Sequence, residues 1–276
     1  MSADIQIRRA ESIDDYRACQ AAQRLAWGID DDAYVVPIAT MVGAQLHGGL
    51  VLGAFLPSGE AAGLSFSFLG RVEGRICLYS QLTGIAPAHQ DQGLGGRIKE
   101  AQRAIAYSEG VASIVWAFDP LQAGNARFNL DKLGARAIRY IENMYGSRTD
   151  VLNAGAATDR LIVEWPTDPV ARPERFNGDV KGLPRLIETA RRPDGVLTPV
   201  VNLSPLAPTV LLEIPDDIPR LRSREPELAE RWRQAVRQGF LASFAAGYQA
   251  TGFHRDDSAG PRRGAYLLQR GTEINT

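Results

Sequence analysis

The chain has 276 residues, 45% of them hydrophobic, and a formal net charge of −1. That is apolar material enough for a sizeable core, in one large domain or a main domain with a smaller companion. The near-neutral charge offers no electrostatic hold on nucleic acid or an anionic membrane.

Cys19 and Cys77 sit in apolar patterns and make no disulfide framework. No apolar run approaches the ~20 residues of a transmembrane helix, and the N-terminal stretch turns polar without a signal-peptide core. A soluble, cytoplasmic protein is expected.

Along the chain, Ile5-Gln6-Ile7 alternates as a short strand. Ser12, with Asp15 three residues on, reads as a capping box opening a helix that ends near Trp27-Gly28. A second helix is expected over residues 38–46. Three β-prone runs then follow, "GLVLGAF", "AAGLSFSFLG" and "RICLYSQLTGIAP", separated by turns at Pro57-Ser58-Gly59 and Glu73-Gly74. They predict an antiparallel meander. Leu94, Ile98, Ala101 and Ile105 recur at helical spacing up to Gly110. "ASIVWAF" (112–118) is a continuous apolar strand, residues 123–133 a helix closed by Gly134, and "RAIRYIENMYG" and "DRLIVEWP" two more strands.

Eight of the 16 prolines fall between Pro166 and Pro208, which reads as an irregular connection. Beyond it come a strand (209–215), a long helix from about Pro226 with the apolar stripe Trp232, Val236, Phe240 and Phe244, and two strand-like pieces. The expected division is 1–165, 166–208 and a small C-terminal subdomain 209–276. The expected fold class is α/β (α+β), a mixed, mostly antiparallel sheet flanked by helices.

Between the third meander strand and the next helix stands "HQDQGLGGRIK", with Gly93, Gly95 and Gly96 in four positions. Glycine costs about 0.5–1 kcal/mol against alanine inside a regular element, so the bareness needs a reason. A Rossmann fingerprint would put its third glycine at Ile98, and no Walker loop is present. What remains is a strand, a glycine loop and a helix N-terminus, where successive amides can converge on an anion such as a diphosphate. Arg97 and Lys99 in the first turn could add charge from the side. Glycine clusters at such turns also serve tight geometry alone.

"LTGIAPAHQDQGLGGRIKEAQ" resembles the acyl-CoA-binding segment of the GNAT acetyltransferase superfamily, whose Q/R-x-x-G-x-G/A pattern is filled by Gln90, Gly93 and Gly95. The likeness continues through "SIVWAF", Asn125 and a helix ending "KLGA", over roughly residues 5–165. The whole chain resembles a bacterial branch of predicted GNAT proteins with a C-terminal extension, in "WG" (27–28), "GGLVLGAF", "FDPLQAGNA" and "TDRLIVEW". The resemblance implies acetyl-CoA or another acyl-CoA as co-substrate. Backbone groups of Thr83, Gly84, Ile85 and Ala86 would pair with the pantetheine arm, and amides of Gln92, Gly93, Leu94, Gly95, Gly96 and Arg97 would cradle the pyrophosphate. Asn125 would touch the pantetheine or its thioester end.

Amide formation from a thioester needs a neutral amine, an oxyanion donor and a proton for the leaving thiolate. A lysine amine has a pKa near ~10.4 and an α-amine near ~8, so an α-amine needs only a modest base. The superfamily's usual acid, a tyrosine four residues before the helix-end glycine, would fall at Leu130, so it is missing. Tyr140 and Tyr145 on the next strand are substitutes, or simply packing tyrosines.

Asp119 is the candidate base, though Asp119-Pro120 also reads as a turn. Ser80 and Gln81 are candidates for acceptor contact or ordinary sheet residues. His89 reads as structural or cofactor-flanking. His47, and Trp27 with Asp30 to Asp32, could line an acceptor cleft. No spacing resembles a metal site.

The reading is a CoA-dependent N-acyltransferase acting directly on a small-molecule amine, with an amino acid one option and acetyl the default donor. Nucleic acid and membrane are not expected partners, and a homodimer is left open. A non-catalytic acyl-CoA-binding module is the alternative.

Overall fold

The computed structural model describes residues 5–146, 157–171, 176–204, 207–256 and 263–271. They form two compact units, one of Met1–Trp116 with Pro166–Ala171, the other of Ala117–Trp165 with Arg172–Thr276.

In the first unit the predicted meander is realised. Strands β1 (Gln6–Arg9), β2 (Leu50–Phe55), β3 (Ala61–Val72) and β4 (Arg75–Ile85) pair antiparallel in that order, and β5 (Ser113–Phe118) joins β4 in parallel. Helix α1 (Ile13–Trp27) begins at the predicted box, with the Ser12 side chain accepting from the Asp15 amide and the Asp15 carboxylate reaching back to the Ser12 amide. Helix α2 (Ile38–Leu46) follows. Tyr16, Cys19, Ala22 and Met41 pack against Leu64 and Phe66, while Leu94 and Ile98 of α3 (Leu94–Ser108) pack with Ala54 and Ala62. Leu64 and Phe66 thus face α1 and α2, while Gly63, where a Cβ would stand 3.3 Å from Ile98, faces α3; a register shift that leaves Ala62 as the extra residue against Ala54 and Phe55 lets Ala62 join the α3 side.

In the second unit the expected helix over 123–133 is split. A short α4 (Ala123–Ala126) runs into a π-helical turn, Arg127–Lys132. The strands are β6 (Arg136–Ile141), β7 (Arg160–Pro166), β8 (Arg185–Arg191), β9 (Leu197–Val201), β10 (Thr209–Pro215), β11 (Tyr248–Asp256) and β12 (Arg263–Arg270). They run in the order β7-β6-β11-β12-β10-β8-β9, antiparallel where paired except for β10 with β8.

The proline-rich stretch is no irregular connection, for it supplies β8 and β9. Pro184 stands just before β8, and Pro199 lies in β9 at the end of the strand order, where a missing N–H can be left unpaired. Residues 172–175 and 205–206 of that stretch are outside the described ones.

A further helix, α5 (Ile218–Arg224), is capped by Asp217. The predicted stripe on α6 (Pro226–Ala245) buries Trp232, Val236 and Phe240 completely. Gly239 brings α6 close to the strands: a Cβ there would stand 2.8 Å from Leu212 and 3.1 Å from Ile187. Each unit is a mixed α/β arrangement, with a mostly antiparallel sheet flanked by helices.

Candidate functional site

β4 changes partners along its length. Against β3 it keeps regular register up to Ser67↔Ser80 and then shifts to Phe66↔Leu82, leaving Gln81 as the extra residue of a β-bulge. Against β5 it pairs only at Leu78↔Ile114 and Tyr79↔Val115. Beyond Tyr79, β4 therefore runs on to Ile85 without a described β5 partner.

The glycine loop begins where β4 ends. A 3-10 turn at Pro87–His89 leads to Gln90, whose side-chain amide donates to the Ile85 carbonyl at 3.1 Å. Asp91 and Gly93 then take left-handed conformations, with φ of 60° and 72°. Aspartate tolerates that region better than most residues, and glycine enters it freely.

Among the described residues, none of the N–H groups of residues 91–96 has a hydrogen-bond partner within the protein, whereas Arg97 N–H closes the first helical bond onto Gly93 O. A short row of unspent donors, at the positive end of a 15-residue helix, is the geometry that attracts an oxyanion.

Two glycines of this region are bare for different reasons. A Cβ on Gly95 would meet only Ile85 Cγ1, at 3.9 Å, so nothing in the fold itself asks for glycine there. A Cβ on Gly84 would stand 2.4 Å from the Trp27 indole and 2.9 Å from the Ala26 Cβ, so Gly84 serves the packing of α1 on β4. A ligand backbone approaching the loop would account for Gly95.

Ala86 donates its N–H to Ala62 O at 2.9 Å and has none to offer a ligand. Thr83 Oγ1 bonds Ser65 Oγ at 3.1 Å. The Arg97 guanidinium reaches the Ile5 carbonyl at 3.1 Å, and Arg97 N–H is spent inside the helix, so the unspent amides include Gln92, Gly93, Leu94, Gly95 and Gly96 but stop short of Arg97. Lys99 does not flank the loop. It is buried, and burial pushes its amine down to about 7.

Asp119, Asn125, Tyr140 and Tyr145 belong to the second unit. Tyr140 donates to Asp159 Oδ2 at 2.6 Å, and Asp159 also accepts from Arg237 and the Asn143 amide. Burial, together with this bond, holds the Tyr140 proton far above the ordinary phenol range. Asp119 accepts the Leu121 amide at 3.0 Å and pairs with Arg233 at 3.3 Å, so it serves the turn and an ion pair. Tyr145 is exposed, with Arg160 5.2 Å from its ring, and Asn125 is exposed on α4. Leu130, at the position of the expected acid, is buried in the core. Asp119 and Tyr140 are thus each engaged by partners within their own unit.

One polar cluster escaped the sequence reading. Gln102 Nε2 lies 3.0–3.1 Å from the hydroxyls of Ser65, Ser67 and Ser80, and Lys99 Nζ lies 2.8 Å from Gln102 Oε1 and 3.2 Å from Ser80 Oγ. The signal was present in "LSFSF", where serines alternate on an otherwise apolar strand opposite two polar positions of α3.

Against known proteins, no family model matches the chain, and neither does any curated protein. Solved structures do. The chain is similar to the ribosomal-protein-S18-alanine N-acetyltransferase from Escherichia coli, at 19% identity, over 62% of this chain and 99% of that one, with a TM-score of 0.46. It is also similar to a GNAT family acetyltransferase from Elizabethkingia anophelis with acetyl-CoA bound (16%, 59% and 98%, 0.45) and to an IAA acetyltransferase from Bacillus cereus (16%, 59% and 99%, 0.45). Among the described residues no helix is long and apolar enough to cross a membrane, and no cluster of His, Cys, Asp or Glu could hold a metal ion.

Proposed function

We propose that this protein is a CoA-dependent N-acyltransferase, moving an acyl group, acetyl by default, from acyl-CoA directly to the amine of a small molecule such as an amino acid. The observation that carries the reading is the row of amides over residues 91–96 that have no partner among the described residues, set where β4 has parted from β5. An anionic diphosphate satisfies those donors, and the bare Gly95 lets it approach the main chain. The free length of β4 leaves main-chain groups for the amide-rich arm of the same ligand, as an added strand would use them. When bound, acyl-CoA supplies an activated acyl group; the chain's own residues bind, orient and handle the proton.

The test is direct. Binding of CoA is measured by calorimetry, and thiol release from acetyl-CoA is followed across a panel of amines that includes the amino acids. Micromolar CoA binding with amine-dependent thiol release is expected. Absence of CoA binding would sink the reading. Binding without turnover on any amine would favour the non-catalytic acyl-CoA module, for which the buried Leu130 and the occupied Asp119 and Tyr140 speak.

A further inference from the structure

Lys99 has no role in the amide cradle, yet it is the most unusual ionisable group in the first unit. It is 3% exposed, its Nζ lies 3.2 Å from Ser80 Oγ, and the Trp116 ring centroid is 3.9 Å away. Ser80 and Trp116 directly follow Tyr79 and Val115, the last residues that pair β4 with β5. The amine therefore sits where the two parallel strands part, touching one residue of each.

Among the described residues, its surroundings carry no charge to balance it. Facing it are Ser80 from β4, Trp116 from β5, Gln102 from α3, and, through Gln102, Ser65 and Ser67 of β3. Cys77 and Tyr79 belong to the opposite face of β4 by alternation, and Tyr79 packs on Phe68 there. Arg103 turns to the carbonyls of Pro166, Thr167 and Asp168, with the exposed Glu100 3.9 Å from it.

Burial alone lowers the Lys99 pKa, to about 7, so the group takes or gives a proton near neutrality. The choice of residue is telling. Of 31 basic residues only Lys99, Lys132 and Lys181 are lysine, and a guanidinium could not deprotonate at this position.

We propose that Lys99, acting through the Ser80 hydroxyl, is the proton reservoir of the acyl-transfer site: a positioning residue that takes the proton the acceptor amine sheds and returns it to the departing thiolate. The inference rests on the acyltransferase reading above. Gln102 Nε2 can only donate to Ser80 Oγ, which leaves the hydroxyl hydrogen to pass between the Lys99 lone pair and a nucleophile reaching Ser80. As the N–C bond forms and the C–S bond breaks, the electron pair of that bond goes to sulfur. The amine proton moves to Ser80 Oγ while the Ser80 proton moves to neutral Lys99 Nζ. Lys99 Nζ then returns its proton to Ser80 Oγ as the Ser80 proton passes to the thiolate sulfur, which restores the neutral lysine, so no external acid or base is consumed.

Two measurements test this. In protein labelled with 13C at the lysine side chains, the free enzyme should show one lysine titrating near pH 7, a signal missing from K99M; a Lys99 signal titrating near 10 would overturn the proposal. In turnover of acetyl-CoA with the best amine of the panel, K99M and S80A should each lose about 100-fold or more in kcat, while CoA affinity stays within about twofold. Wild-type kcat should show a pH limb near 7 that K99M lacks.

Variants that keep kcat and the limb would refute the relay and leave the acyltransferase reading standing. Wild type that binds CoA but releases no thiol with any amine would refute both. Should K99M not fold, S80A and the wild-type lysine titration decide the matter alone.

Discussion

Tyr140 donates its phenolic proton to Asp159 Oδ2 at 2.6 Å, and Asp159, fully buried, also accepts from Arg237, at 3.0 Å on the same oxygen and 2.9 Å on Oδ1. A tyrosine that the sequence offers as a proton donor for chemistry is thus committed to a carboxylate inside its own unit. Tyr140→Phe should cost about 1–3 kcal/mol of stability, the loss of one buried bond to a charged group, read from urea unfolding. It should leave kcat unchanged. A large loss of kcat at wild-type stability would return Tyr140 to the catalytic machinery.

The same cluster sets an acid limit. Burial raises the Asp159 pKa, but the bonds from Arg237, Tyr140 and the Asn143 amide outweigh it, and the net shift is downward. A carboxylate with a lowered folded-state pKa contributes stability above its unfolded value, lost as the pH falls through the folded one. Unfolding followed from pH 7 down to pH 3 should therefore show wild type losing stability that Asp159→Asn, already weakened at pH 7, no longer has to lose.

Asp119 makes a comparable case. Arg233, its ion-pair partner, is 3% exposed, so Asp119→Ala strands a buried guanidinium. The expected cost is on the order of 3–5 kcal/mol, visible as a lowered Tm. If instead turnover collapses while Tm holds, Asp119 is a base after all.

Gly95 and Gly84 separate binding from packing. Gly95→Val should abolish CoA binding and leave the unfolding midpoint nearly unchanged, because the open space over the loop accepts a side chain. Gly84→Ala should destabilise by about 1–3 kcal/mol, because its Cβ would overlap the Trp27 ring. Calorimetric titration of both variants with CoA, beside their melting curves, checks the contrast. CoA affinity unchanged in Gly95→Val would remove the loop from the site.

Lys99 also predicts a stability signature independent of catalysis. Its folded-state pKa, about 7, lies below the unfolded value, so charging the folded state is penalised fully below pH 7 and progressively less above it. The advantage of K99M over wild type should accordingly be largest in acid and shrink by roughly 1.4 kcal/mol per pH unit between about 7 and 10. Denaturant unfolding of the pair across that range measures it, and a difference independent of pH would mean an ordinary lysine.

Much of the scaffold was legible because its causes are local. Ser12 and Asp15 sit three residues apart, so the capping box could be read directly. The stripe of Leu94, Ile98, Ala101 and Ile105 and the glycine turns of the meander likewise carry their period in the chain itself. The proline-rich stretch misled, because proline's missing N–H forbids a central strand but not an edge strand such as β9, and only the strand order tells which one is meant.

By itself, then, the sequence determined where the helices and strands of the first unit begin, which stripes are apolar, and that a bare loop precedes α3, for these depend on neighbours a few residues away. Tertiary structure alone decided the roles of the side chains. It put Arg233 on Asp119 across 114 positions of sequence, explained Gly84 by Trp27 while leaving Gly95 in open space, and turned Lys99 inward to the point where β4 and β5 separate. Burial and pairing set proton affinity and access, and both are properties of the packed neighbourhood, which no stretch of sequence contains.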